Sequence, residues 1–308
     1  MTGTDAGADF SRGAAWIDGR LVPIAEASIP LLDWGFTRSD VTYDVVHVWD
    51  GRFFRLDAHL DRFLAAMAAL RLDPGLDRAG IAAAVHGCVA RSGLRRAYVE
   101  MLCTRGMPAP GVRDPRRAAN RFVAFAIPFV WIADDEQRER GLRACIARTV
   151  RRIPPDAVDP AVKNFHWGDL VRGLFEAFDR DAETVILTDG AGVVTEGPGF
   201  NVFTVAAGRV ATPAGGVLPG VTRRTVLELC ARLDIPAAAG EVTAEDVRDA
   251  DEVFLTSTAG GVMAVTEVDG KPVGEGTVGP VTAGIHDAYW ASHEDPAWSE
   301  PVDYGSGV

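Results

Sequence analysis

The chain has 308 residues, 47% of them apolar, enough for one large or two ordinary cores, which sets aside a disordered chain. Its formal net charge of −12 at pH 7 sets aside a nucleic-acid or anionic-membrane surface, because both partners demand a basic face. Four widely spaced cysteines (Cys88, Cys103, Cys145, Cys230) offer neither zinc spacing nor a disulfide framework and point to a reducing cytoplasm, while the longest apolar run, Phe122 to Ala133, is short for a bilayer span and contains Pro128.

The opening reads as hairpins: Ala15–Ile17 and Leu21–Val22 flank Asp18-Gly19, and Val41–Trp49 and Phe53–Phe54 flank Asp50-Gly51. Asp57 is expected to cap a helix with Leu60, Phe63, Leu64, Met67 and Leu70 at helical spacing, and Ile81, Val85, Cys88 and Val89 mark a second helix ending near Gly93. Strands follow around 98–104 and 121–131. The polar stretch Ala133 to Gly141 interrupts this order, so residues 1–131 are expected as a small α+β domain, 132–141 as a linker and 142–308 as a larger domain. That second part reads as a strand at 143–150, a helix through Leu170, Leu174 and Phe178, a hairpin across Asp189-Gly190, and a strand at 201–205. A helix from Gly220 to about Leu233, a capping box at Thr243 to Asp246, a strand at 252–256 and a loose tail from Glu294 complete it.

Only two lysines occur. Lys271, in Asp269-Gly270-Lys271-Pro272, reads as a solvated hairpin tip. Lys163 stands among aromatics in Val162-Lys163-Asn164-Phe165-His166-Trp167-Gly168-Asp169-Leu170, and a lysine amine, unlike a guanidinium, can lose its proton and act as a nucleophile. That context suggests a Schiff-base lysine, with a surface lysine in a connecting loop as the alternative.

Other segments supply the remaining parts that pyridoxal phosphate requires. Leu218-Pro219-Gly220-Val221-Thr222 opens a helix whose amides can take a phosphate, Thr256-Ser257-Thr258-Ala259-Gly260-Gly261 offers hydroxyls after a strand, and Glu196 in Thr195-Glu196-Gly197-Pro198-Gly199-Phe200-Asn201 is the carboxylate for a pyridine nitrogen. An ordinary loop-to-helix junction, a tight turn and a solvated hairpin glutamate are their bland alternatives. The six histidines form no ligand spacing, no Gly-x-Ser-x-Gly elbow occurs, and the hairpin opening does not fit an aldolase barrel.

Over roughly residues 13 to 292 these motifs, with Asp40-Val41-Thr42-Tyr43, resemble the fold-type IV pyridoxal-phosphate aminotransferases, the superfamily of branched-chain and D-amino-acid aminotransferases, and most of all its (R)-selective amine transaminase branch. The resemblance implies a two-domain α/β and α+β fold whose larger domain carries a mixed barrel-like sheet, and a homodimer. It implies Lys163 as the catalytic residue, forming the internal aldimine and moving the proton. Glu196 would meet the pyridine nitrogen, and Arg62, Val221, Thr222, Ser257 and Thr258 would hold the phosphate.

The implied reaction is ping-pong transfer of an amino group from an (R)-configured primary amine or a D-amino acid to a keto acid such as pyruvate. The alternatives are a D-amino-acid or branched-chain aminotransferase proper, or a lyase of the aminodeoxychorismate type. By the same resemblance Tyr43, Phe129, Trp131 and Trp167 line a larger substrate pocket, Val45, Tyr98, Ile127, Thr258 and Ala259 a smaller one, and Arg113 is a mobile loop arginine. Two departures stand out: Arg38 replaces a common histidine and is expected to favour carboxylate-bearing substrates, and Tyr98 with Glu100 replaces a more apolar pattern.

Overall fold

The computed structural model describes residues 9–305. The chain forms two units. One holds the described residues up to Val130 together with Lys163–Phe165 and the stretch from His293 onward, and the other holds Trp131–Val162 and His166–Ser292.

In the first unit, β1 (Ala14–Ile17) and β2 (Arg20–Pro23) pair across Asp18-Gly19, whose φ angles of 52° and 78° give the left-handed turn that an Asp-Gly pair favours. The short helix α1 (Trp34–Arg38) is capped by Asp33. A second Asp-Gly turn joins β3 (Val41–Trp49) to β4 (Arg52–Phe54). Helix α2 (Leu56–Leu70) already begins at Leu56, so Asp57 lies in its first turn and not at its cap; the chain enters through Arg55 at φ 58°. Helix α3 (Arg78–Ser92) stops at Gly93, which takes the left-handed C-terminal position. Long strands β5 (Ala97–Pro108) and β6 (Ala118–Pro128) follow.

The sheet runs in the order Ser299–Pro301, β4, β3, β5, β6, β1, β2. Side-chain alternation gives its two faces different work. Val46, Val48, Val99, Met101 and Cys103 join Leu60, Phe63, Ile81, Val85 and Val89 in the main core. Tyr43, Val45, Leu102 and Val123, with partly buried Tyr98 and Phe125, form a second cluster. Because β4 pairs with β3 only at Val48 and Trp49, the first half of β3 keeps an open edge. Lys163 and Asn164 use it: the Tyr43 N–H donates to the Lys163 carbonyl at 3.1 Å, and Thr42 bridges Asn164.

The stretch from Glu294, expected as a loose tail, is instead ordered into the first unit's sheet. Ser299–Pro301 pairs with β4, Val302 enters the core, the Arg55 N–H donates to the Trp298 carbonyl, and Tyr304 donates to the Leu94 carbonyl. A three-residue strand is too short for alternation to reveal.

The second unit opens with α4 (Asp135–Arg140), where a polar linker was expected; Asp134 and Gln137 make a reciprocal capping box. Its other elements in chain order are β7 (Leu142–Ile146), α5 (Gly168–Phe178), β8 (Thr184–Ile186), β9 (Glu196–Gly197), β10 (Phe200–Ala206), β11 (Arg209–Pro213), α6 (Val221–Arg232), β12 (Ala237–Gly240), α7 (Ala244–Arg248), β13 (Glu252–Ser257), β14 (Gly261–Val268), β15 (Lys271–Pro272) and α8 (Pro280–Ala291). The nine strands form one mixed sheet in the order β12, β11, β10, β13, β14, β7, β8, with β9 on β10 and β15 on β14. Parallel pairs occur at β11–β12, β14–β7 and β7–β8. Among the described residues, no helix is long and apolar enough to cross a membrane.

Candidate active site

The first unit carries Lys163. Tyr43 and Thr42 both hold its carbonyl, the Thr42 hydroxyl at 2.7 Å, so the backbone of the lysine is fixed to β3. Its Nζ lies 4.4 Å from the centre of the Tyr43 ring, whose other neighbour is Phe165 at 4.8 Å. A cation over an aromatic face is attracted by the ring quadrupole, which aims the amine. Val45 stands on the same sheet face as Tyr43, directly across the ladder from Glu100, and His47 pairs in register with Tyr98.

Glu100 is the unexpected member of this face. Its carboxyl accepts a 3.1 Å hydrogen bond from the Tyr98 hydroxyl. Burial pushes it up to about 7, against the pull of Tyr98 and the Lys163 ammonium and with the help of Asp44. Burial and the adjoining Glu100 likewise raise the Tyr98 hydroxyl.

On the opposite face, Asp44 is fully buried and takes hydrogen bonds from Arg62 Nε at 2.7 Å and Nη2 at 2.8 Å, with His59 Nδ1 at 2.8 Å. Burial raises this carboxyl, but the guanidinium and imidazole outweigh it and hold it well below the usual carboxylate range. Burial lowers His59, with Asp44 opposing. Two of the five Arg62 N–H groups are therefore committed to Asp44. Arg38 is exposed in the last turn of α1, its guanidinium 3.6 Å above the Trp34 ring. Arg113 is exposed in the loop joining β5 to β6. Phe129 lies edge-on to His47 and Trp49, and Ile127 faces Tyr98 across β5–β6.

In the second unit, Glu196 is buried at the start of a hairpin, opposite Asn201. Gly199 turns that hairpin at φ 82°, and a Cβ on Gly197 would fall 2.3 Å from the Phe200 ring, so glycine is required there. One Glu196 oxygen accepts from Arg152 and the other from the Leu218 N–H at 2.9 Å; Asn201 Nδ2 donates to the Leu218 carbonyl at 3.0 Å. Arg152 in turn donates to Asp169 at 2.7 Å. Sequence reading missed Arg152 and gave Asp169 no role. Neither has a pattern around it, because the ion pairs join residues 17 and 44 positions apart.

The Leu218–Gly220 loop, pinned by Glu196 and Asn201, delivers the chain into α6. Gly220 caps that helix without a side-chain hydrogen bond, and a Cβ on it would lie 2.1 Å from Asn201 Oδ1. Val221 and Thr222 are buried in the first turn. Ser257 ends β13, where its hydroxyl accepts from the Ala259 N–H; Thr258 and Ala259 follow, partly buried, and the Ala259 carbonyl accepts from Ile132. Trp167 heads α5, and a Cβ on Gly199 would meet its ring at 3.6 Å. Trp131 packs on Trp290 beneath Arg138.

These groups fit pyridoxal phosphate. The first unit carries an aimed amine, the part an aldehyde needs; the second carries a buried carboxylate held at both oxygens and the N-terminal amides of a twelve-residue helix that its own cap side chain leaves unbonded, the parts a pyridine nitrogen and a phosphate ester need. Among the described residues, no group of three or more His, Cys, Asp or Glu is placed to hold a metal ion.

Comparison with known proteins agrees. Residues 42–268 match the amino-transferase class IV family. A putative branched-chain-amino-acid aminotransferase of Methanocaldococcus jannaschii is 30% identical over 277 residues, 89% of this chain and 94% of that protein. A D-alanine aminotransferase of Listeria innocua is 28% identical, covering 89% of this chain and 93% of that one. A solved T.th. branched-chain amino acid aminotransferase with pyridoxamine 5'-phosphate superposes with a TM-score of 0.88 at 25% identity, covering 94% of this chain and 99% of that chain. The chain therefore belongs to the class IV aminotransferases: it is a fold-type IV, pyridoxal-phosphate-dependent enzyme that passes an amino group from an amine or amino acid to a keto acid.

Proposed function

We propose that this enzyme takes the amino group from an (R)-configured primary amine or a D-amino acid and delivers it to a keto acid such as pyruvate. The observation that carries this reading is the wall around Lys163: its Nζ stands over Tyr43, beside Phe165, on the sheet face that also presents Val45 and Tyr98. Apart from the Glu100 carboxyl bonded to Tyr98, this face is apolar and aromatic, which suits donors whose substituents are hydrocarbon. The D-alanine aminotransferase relatives support the D-configured alternative, and the branched-chain relatives make L-leucine the control.

The bound cofactor supplies an electron sink for the carbon that loses its proton. Lys163 would hold the cofactor's aldehyde, and its Nζ would carry the proton. Glu196, fixed by Arg152 and the Leu218 amide, keeps a proton on the pyridine nitrogen. The amides of Val221 and Thr222 and the hydroxyls of Ser257 and Thr258 hold the phosphate, with Arg62 adding a guanidinium that Asp44 keeps in place. Trp167 and Ala259 bound the substrate, and Arg38 and Arg113 attract the carboxylate of the keto acid or D-amino acid.

Ile29, Leu31, Leu32 and Phe36 are exposed apolar residues in and before α1, the last three at 70% or more, which supports a homodimer covering them. Four buried, unpaired cysteines support a cytoplasmic location.

The test is a donor panel of both enantiomers of 1-phenylethylamine and alanine, and L-leucine, each with a non-identical keto acid. We expect product from the (R)-amine and D-alanine, none with Lys163→Ala, and a borohydride-fixed cofactor on the peptide holding Lys163. Product from the (S)-amine and L-amino acids alone would overturn the stereochemical reading. Pyruvate released from aminodeoxychorismate without any transfer would identify the lyase.

A further inference from the structure

We propose that the cavity between residues 149–154 and the first turns of α5 is a second ligand site, one that binds a phosphate-bearing anion. It lies wholly within the second unit and has a volume of about 490 Å³. None of the residues assigned above to the cofactor's phosphate lines it.

Its walls are fixed to each other by two acids of α5. Glu176 accepts from the Arg148 and Thr149 N–H groups at 2.6 and 3.0 Å, and Asp169 accepts from the Ile153 N–H and from Arg152 Nη1, both at 2.7 Å. The Arg152 N–H donates to the Thr188 carbonyl at 2.8 Å, and the residue is 8% exposed. The loop is thus stapled to the helix on either side of Arg151.

That stapling leaves cations uncompensated. Arg172 stands three residues after Asp169 and four before Glu176, the spacings at which a helix arginine ordinarily meets an acid, yet both acids are turned to the loop. Arg151 lies with its stem against Gly190, where a Cβ would meet its Cδ at 3.0 Å. Among the described residues neither Arg151 nor Arg172 is joined to a carboxylate. Acids nevertheless outnumber Lys and Arg by 43 to 31, and the exposed Arg78, Arg96, Arg143 and Arg248 each reach one.

Three guanidinium groups, those of Arg151, Arg152 and Arg172, therefore line one cavity, and the carboxylate on its wall, Asp169, is already spent. The fitting occupant carries several anionic oxygens in a compact group, because each guanidinium offers a fork of donors that matches phosphate. Thr149 and His166 add polar side chains to the lining. Free phosphate and a phosphate monoester share this recognition chemistry. The site is also tied to the active site, since the Arg152 guanidinium that lines it donates to Glu196.

The experiment titrates the cofactor-loaded enzyme, in which the cofactor's own phosphate place is filled, with inorganic phosphate and separately with glycerol 3-phosphate, by calorimetry at low salt. We expect saturable binding with a Kd of about 1 mM, weakened by added sodium chloride. Arg151→Gln and Arg172→Gln should each weaken it about tenfold or more, while Arg172→Lys should retain most of it. The absorbance of the bound cofactor shows that each variant is folded and loaded. Binding of both probes identifies the phosphate group as what is read, and binding of glycerol 3-phosphate alone identifies a monoester site. No saturable binding of either probe overturns the inference. So does binding that survives the double substitution, that pyruvate displaces from the active site, or that acetate matches in strength. All of these outcomes leave the donor reading untouched, because they do not involve transfer.

Discussion

Arg62 and Asp44 are joined by two parallel hydrogen bonds, Nε to Oδ2 at 2.7 Å and Nη2 to Oδ1 at 2.8 Å, directly behind the strand that positions Lys163. The carboxylate is fully buried and shared with His59. Asp44→Asn keeps the shape but leaves a guanidinium without its counter-charge, and breaking a buried pair in this way costs about 3 kcal/mol. Urea unfolding at neutral pH should show that loss, and a variant within about 0.5 kcal/mol of wild type would mean that Arg62 is stabilised by something else. The acid side has a definite sign. Asp44 is held below its unfolded value, so its contribution is present above that value, 3.8, and disappears as pH falls through the depressed folded one. Asp44→Asn should therefore narrow its gap to wild type as pH falls below about 4.

Gly220 joins the carboxylate site to the helix start. A methyl group there would overlap Asn201 Oδ1 at 2.1 Å, and Asn201 in turn holds the Leu218 carbonyl. Gly220→Ala must push the Leu218–Gly220 loop away from Asn201, at an overpacking cost of about 1 to 3 kcal/mol that reaches the amides of Val221 and Thr222. Pyridoxal phosphate should then bind about tenfold more weakly in a spectroscopic titration, with Lys163 chemically unchanged. An unaltered affinity would show that α6 does not hold the phosphate.

Much of this architecture was legible because local chemistry decides it. Asp18-Gly19 and Asp50-Gly51 fix two hairpins through their left-handed turns, Gly93 ends α3, and Thr243 with Asp246 caps α7 as the spacing requires. Lys163 stood out because the rest of the chain is so poor in lysine. What stayed hidden depends on partners distant in sequence. Asp44 falls on the core-facing side of β3 with Val46 and Val48, an acid in a hydrophobic register, and that alternation was the available sign of a buried pair with Arg62. Arg152 offered no such sign, since its partners Asp169, in the first turn of α5, and Glu196, on β9, are brought to it only by the tertiary fold. The segment 133–141, rich in charge, reads as a linker until Asp134 and Gln137 are recognised as reciprocal caps of α4.

The C-terminal segment illustrates the same point energetically. Trp298 is 8% exposed, its ring lies under the Arg55 guanidinium at 3.7 Å, and the strand after it pairs with β4. Trp298→Ala should cost about 3 kcal/mol through lost burial and release β4 to faster amide exchange. Unchanged exchange at Phe53 and Phe54 would show that the terminal strand is dispensable to the sheet.

Glu100 makes the protein's stability depend on pH in the opposite sense to Asp44. Its folded value, about 7, lies above the ordinary 4.5, so the native state holds a proton that the unfolded chain has already released. The stabilisation is complete below 4.5 and is lost as pH rises through 7, because the ionised carboxyl must then be kept in a poorly hydrated place beside Tyr98. Glu100→Gln removes that charge without removing the hydrogen-bond acceptor. The variant should match wild type near pH 4.5, gain on it steadily to about pH 7 and then lead by about 2 kcal/mol, less than the full shift implies because the group is only partly buried. Chemical unfolding of both proteins at a series of pH values gives the difference directly. A gap that does not change with pH would place the Glu100 carboxyl in water.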